Sequence, residues 1–109
     1  MNNKEIQERE PRHKMPKLSL IEIQILAEVR NADVLSAKVL TQEIFPSIQR
    51  NTVYKIIYRF VDHGFLEKTG SSERKNSRAI YLRITPRGKE ELLDQVLSLT
   101  MFARNMLSS

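Results

Sequence analysis

The side chains with the most to offer chemically lie in one run. Gln49, Arg50, Asn51, Thr52, Tyr54, Lys55, Tyr58 and Arg59 supply amide, hydroxyl and cationic donors together with two aromatic rings, and Asp62 is the one nearby carboxylate. A set like this recognises rather than reacts. Asn and Gln amides match the major-groove edge of adenine, and an Arg guanidinium matches guanine. The hydroxyls of Thr52 and Tyr54 suit phosphate oxygens. The chemistry on offer is therefore hydrogen bonding to a polyanion, with base discrimination concentrated at Gln49 to Thr52 and Lys55. A solvated helix face is the plain alternative, but such faces mix both signs of charge, and this one is short of acid.

Charge over the whole chain points the same way. The net charge is +5, yet residues 49–89 alone hold ten basic against three acidic side chains, a local +7. Positive charge gathered in one stretch is the footprint of a phosphate-binding surface. The flanking stretch 18–48 and the tail 90–109 are each net acidic.

Other chemistries find no support in the residues. With no cysteine there is no disulfide framework, thiolate metal site or cysteine nucleophile, which suits a cytoplasmic, nucleoid-associated protein. His13 lies in a polar terminal stretch, and His63 sits where an imidazole serves the last carbonyls of a helix. Glu90 and Glu91 are adjacent and point apart on a helix, so they make no dyad. No catalytic residue, metal site or cofactor is expected. No apolar run is long enough to span a membrane, and Met1 to Glu5 lacks the apolar stretch of a secretion signal.

The elements that must hold these groups follow from local signals. Val53, Ile56, Ile57, Phe60 and Val61 recur at helical spacing, opposite the polar face just described. Upstream, Ser19 and Glu22 read as a capping box for a helix reaching about Ala32, with Leu18, Ile21, Ile25, Leu26 and Val29 on its apolar face. Asn31 and Asp33 end it, and Val34 and Leu35 suffice only for a short extended bridge. Ser36 is the next N-cap, for a short helix over Ala37 to Phe45 with Val39, Leu40, Ile44 and Phe45 inward. Pro46 stops that helix, Ile48 tucks under the turn, and a tight connection through Gln49 leads into the polar run.

Gly64 reads as a C′ residue with Phe65 packing back on Phe60. A hairpin follows, Phe65 to Thr69 and Ala79 to Ile84, with Ile80, Leu82 and Ile84 on the core face. Its loop, residues 70–78, carries Arg74, Lys75 and Arg78, and is either a floppy surface turn or a wing that touches a nucleic-acid backbone. Thr85 and Pro86 begin the last helix, running to about Leu107, with Glu90 and Glu91 near the positive end of its dipole. Leu92, Val96, Leu99, Ala103 and Met106 form one stripe; Leu93, Leu97, Thr100 and Leu107 lie beside it, and Met101 and Phe102 further round. A helix apolar over so much of its circumference needs a second surface. That surface is either its own domain or a second copy of the chain. For the second copy, the expected interface is Leu92, Val96, Leu99, Phe102, Ala103 and Met106.

Three domains of behaviour follow: a flexible basic arm over 1–17, a DNA-binding unit over 18–85 and a dimerisation helix over 86–109. The arm is either a frayed terminus or a segment that lies along DNA. The fold class is α+β, mostly α: a three-helix core, a β-hairpin wing and a long C-terminal helix.

This order resembles the winged helix-turn-helix family, nearest the PadR-like regulators and more loosely the MarR-like ones. The likeness is carried by Leu18 to Leu26, by Asn51 to Leu66 and by Tyr81 to Leu92. It implies a homodimer that uses Tyr54 and its neighbours at double-stranded DNA. The stretch Asn31 to Ser36 lacks the histidine-glycine-tyrosine turn common in PadR-like proteins, and the C-terminal region is a single helix. The expected function is sequence-specific DNA binding as a homodimeric transcriptional regulator, a repressor, with helix 50–63 in the major groove and wing 70–78 on the backbone. Two alternatives keep the fold: a plasmid-partition or chromatin-like protein spreading along DNA, and a winged helix that binds a protein partner.

Overall fold

The computed structural model describes residues 17–69 and 79–108. Helix α1 (Leu20–Ala32) opens on the expected capping box. The Glu22 N–H donates to Ser19 Oγ at 3.3 Å, and the Ser19 N–H donates to Glu22 Oε1 at 2.8 Å. The helix closes at Asp33, whose φ of 71° lies in the left-handed region that Asp tolerates better than most residues. A two-residue strand follows, β1 (Leu35–Ser36).

Ser36 then caps α2 (Ala37–Val39), its Oγ accepting the Val39 N–H at 3.1 Å. The helix does not continue to Phe45 as a regular α-helix. It widens into a π-turn over Leu40–Ile44, and the Phe45 N–H donates to the Leu40 carbonyl five residues back at 2.9 Å. The cause lies just beyond: Phe45 precedes Pro46 and is held outside the α region at φ −123° and ψ 57°. The wider turn changes the inward set. Ala37, Leu40 and Thr41 are buried, while Val39, Ile44 and Phe45 are half-buried. Thr41 tolerates burial because its hydroxyl donates to the Lys38 carbonyl at 3.1 Å.

Helix α3 (Arg50–Asp62) buries Val53, Ile56, Ile57 and Phe60. It ends in a complete Schellman motif: Gly64 sits at φ 80°, its N–H donates to Val61 O at 3.1 Å, and the Phe65 N–H donates to Phe60 O at 2.9 Å. The Phe60 and Phe65 rings pack with centroids 5.9 Å apart.

Strands β2 (Leu66–Thr69) and β3 (Tyr81–Ile84) pair antiparallel, Leu66 opposite Ile84 and Lys68 opposite Leu82. β1 pairs on the other side of β3, giving the order β1-β3-β2. Leu66, Leu82 and Ile84 face the core, and Glu67 and Arg83 face out. The core is closed by Ile25, Leu26, Val29, Leu40, Val53, Ile57, Phe60, Leu66 and Leu82, all fully buried. Each such side chain contributes about 1.5–3 kcal/mol of transfer free energy.

The long helix α4 (Pro86–Ser108) starts as expected at Thr85, whose Oγ1 accepts the Gly88 N–H at 2.9 Å. Its first turn, however, holds Arg87 and Lys89 and no acid. Glu90 and Glu91 fall one turn too late to meet the free N–H groups.

The inward face of α4 also departs from expectation. Gly88, Leu92, Gln95 and Ser98 are buried, with Leu99 and Phe102 half-buried, while Val96, Ala103 and Met106 are exposed. Two polar residues, Gln95 and Ser98, thus lie on the inward face, and neither belongs to the apolar stripes read from the sequence. Gln95 is satisfied there: its Oε1 accepts the Leu18 N–H at 3.1 Å, and its Nε2 donates to Glu91 Oε2 at 2.7 Å. The rotation is fixed at Gly88, where an added Cβ would lie 2.1 Å from the Phe65 carbonyl oxygen and 2.7 Å from Ile84 Cγ1. No other residue fits at that closeness, so residue 88 faces the sheet and the rest of the helix follows.

Candidate nucleic-acid interface

A three-helix core with a hairpin at its edge presents the first turn of α3 to solvent. Pro46 to Gln49 turn the chain from α2 into α3, with Ile48 half-buried against the core. Gln49, Arg50, Asn51, Thr52 and Lys55 are all exposed. Gln49 makes no side-chain cap bond, and its carbonyl accepts the N–H groups of Thr52 and Val53. The Arg50 and Asn51 N–H groups therefore have no cap among the described residues. Free N–H groups at the positive end of a helix dipole attract anions. A shallow depression lined by Gln42, Pro46, Gln49 and Arg50 runs alongside.

Further along the same face the side chains are engaged. Tyr54 is half-buried and its ring lies 6.1 Å from that of Tyr58. The Lys68 ammonium of β2 sits 5.4 Å from the centre of the Tyr58 ring, a cation–π contact. Arg59 forms an ion pair with Glu22 of α1. Of the eight side chains on this face, Arg59 is thus the one matched with a carboxylate among the described residues. The wing cations Arg74, Lys75 and Arg78 lie outside the described residues, as does the terminal arm apart from Lys17.

Cations elsewhere converge in a way the linear sequence hides. Arg30, Arg83 and Lys89 line one depression with Asn31, Asp33 and Ile84. They come from α1, β3 and α4, and only the sheet register and the Gly88 contact bring them together. Lys68 likewise gives no signal in the linear sequence, because its place over Tyr58 depends on the hairpin register.

On α4, Leu92 leaves the expected interface set. It is 7% exposed and packs into its own domain. Leu93, Leu97, Met101 and Leu107, outside that set, are exposed instead, alongside Val96 and Met106.

No family model and no curated protein sequence matches the chain. Solved structures match it in fold. A mutant MarR from E. coli superposes with a TM-score of 0.68 over 84% of this chain, at 14% identity. The chain spans 65% of the length of that protein. A mutant MarR from E. coli complexed with operator DNA gives a TM-score of 0.61 at 14% identity, covering 94% of this chain and 87% of the other. The PcaV transcriptional regulator from Streptomyces coelicolor gives 0.71 at 14% identity, covering 96% and 74%. The transcriptional regulator BldR from Sulfolobus solfataricus gives 0.70 at 22% identity, covering 97% and 73%. These likenesses establish a winged-helix fold of the MarR type. The PadR-like resemblance, which the sequence placed nearest, has no counterpart among these structures. No described helix is long and apolar enough to cross a membrane.

Proposed function

We propose that the chain binds double-stranded DNA in a sequence-specific manner and regulates transcription as a homodimer, in the manner of a repressor. One observation carries this reading. The start of α3 holds Arg50, Asn51 and Thr52 in its first turn and Lys55 in the next, all exposed and unpartnered among the described residues, on a helix whose other side is locked into the core. A helix so mounted enters a major groove with its N-terminal residues at the base edges. That a MarR of the same fold is seen with operator DNA supports the reading by analogy of fold.

Within the proposal, Gln49, Arg50, Asn51 and Lys55 read bases, and Thr52, Tyr54 and Tyr58 serve the phosphates. Arg74, Lys75 and Arg78 bring the wing to the backbone. Two chains pair through the outer side of α4. The reading is tested by selecting from a random duplex pool with the purified protein and titrating the enriched duplex against a shuffled one. A preference of 10³-fold or more, on the scale of specific regulators, supports it. Equal affinity for both duplexes would sink it in favour of a protein that spreads along DNA.

A further inference from the structure

The polar face of α3 falls into two unlike halves. The first turn is free, whereas the second half is tied to the fold on two flanks. Tyr58 lies under the Lys68 ammonium of β2, and Arg59 pairs with Glu22 of α1. Glu22 is no ordinary surface acid. Its side chain is only 14% exposed against 50% for Arg59. Its two oxygens are divided between two helices: Oε1 accepts the Ser19 N–H in the capping box, and Oε2 holds the Arg59 guanidinium. The cap fixes the carboxylate relative to the first turn of α1, so the ion pair fixes α3 relative to α1.

We infer that Glu22 is a positioning residue for α3, acting through Arg59 to trim the roll of a helix whose other side the core already holds, and that Arg59 is a strut rather than a DNA contact. The inference rests on the DNA-binding reading and refines which residues perform it. Roll matters because hydrogen bonds are short-ranged. At a helix radius of about 5–6 Å, a roll of roughly 20° moves a side-chain tip by about 2 Å, which is more than hydrogen-bond geometry tolerates. A half-exposed ion pair adds little to folding stability. Its loss should therefore show in recognition before it shows in melting.

The test uses the full chain with Glu22→Gln, Arg59→Gln, the double variant and Arg59→Lys. Gln at position 22 keeps the acceptor that the capping box needs. Affinity is read by fluorescence anisotropy across a salt series, on the duplex enriched by the wild-type protein and on its shuffled counterpart. Each single Gln variant should lose about tenfold on the enriched duplex, the scale of coupling within one network. Little should be lost on the shuffled one. The double variant should be no worse than either single, the salt slope should stay unchanged, and Arg59→Lys should recover most of the loss. A different pattern overturns the inference: Arg59→Gln weakening both duplexes alike and lowering the salt slope by about 0.9, with Glu22 present or replaced, would make Arg59 a phosphate contact. Should the wild-type protein enrich no sequence, the DNA-binding reading falls by itself. Residual dipolar couplings of the α3 amides then decide the positioning claim, a changed helix orientation in Glu22→Gln supporting it and an unchanged one overturning it.

Discussion

Arg50 and Asn51, unlike Tyr58 and Arg59 further along α3, have nothing to give up. Neither makes a side-chain bond to the described protein, and both are exposed at the helix start. Any partner they gain on binding is gained in full, without breaking an internal contact first. Arg50→Ala or Asn51→Ala should weaken binding to the preferred duplex by about 1–3 kcal/mol and relax the choice of base at one position. Titration against single-base variants of the duplex checks this, and a uniform loss on all of them would assign these residues to the backbone instead. The wing cations should behave oppositely. Arg74→Ala or Lys75→Ala should weaken every duplex alike and lower the salt slope by about 0.9 each.

At the scale of elements, the joint between α3 and α4 decides how the two helices are set against each other. Phe65 is its centre. The backbone carbonyl of Phe65 accepts the Thr85 N–H at 3.0 Å, and the Thr85 hydroxyl lies 2.5 Å from the Gly64 carbonyl. The Phe65 ring is flanked by His63 and by the Arg87 guanidinium, with centres 5.8 and 5.7 Å away. Gly88 closes the joint, with no room for a methyl group against the Phe65 carbonyl. Gly88→Ala should therefore cost about 1–3 kcal/mol as an overpacked site, and thermal melting should drop by several degrees. A variant that melts like the parent would mean that α4 tilts freely away.

The ends of the helices were legible in the sequence because caps are local. Ser19 with Glu22, Ser36, Gly64 and Thr85 each declare a helix end within a few residues. The rotation of α4 was not legible. A helix apolar nearly all round gives no sign of which side goes inward, and Gln95 and Ser98 are inside only because Gly88 sets the phase. The π-turn of α2 was hidden for a similar reason, since Pro46 announces an end but not the form of the last turn. The polar, exposed start of α3 was legible from residue type alone, whereas the Glu22 to Arg59 pair required knowing how α1 crosses α3.

For the molecule as a whole, α4 has two opposite duties. One side, Gly88, Leu92, Gln95 and Ser98, closes the domain. The other carries Leu93, Val96, Thr100, Ala103 and Leu107 at steps of three and four, with Leu97 beside them, and Leu93 is 61% and Leu97 49% exposed. This outer row follows the spacing of a helix-pairing seam, and the small residues Thr100 and Ala103 at its middle allow close approach. In the proposed homodimer the row meets its copy across a two-fold axis, which sets the two α3 helices for major grooves about 34–36 Å apart. Two substitutions separate the sides. Leu93→Asp with Leu97→Asp changes only the outer side, so the chain should stay folded by circular dichroism yet sediment as a monomer. Its affinity for a palindromic duplex should fall toward that for a single half-site, because the second contact is no longer tethered. Leu92→Ala removes an inward side chain instead, so it should cost about 2–5 kcal/mol of folding stability and leave the sedimenting mass of the folded fraction unchanged. A double Asp variant that still sediments as a dimer would place the pairing surface elsewhere, and the spacing argument for the two helices would go with it.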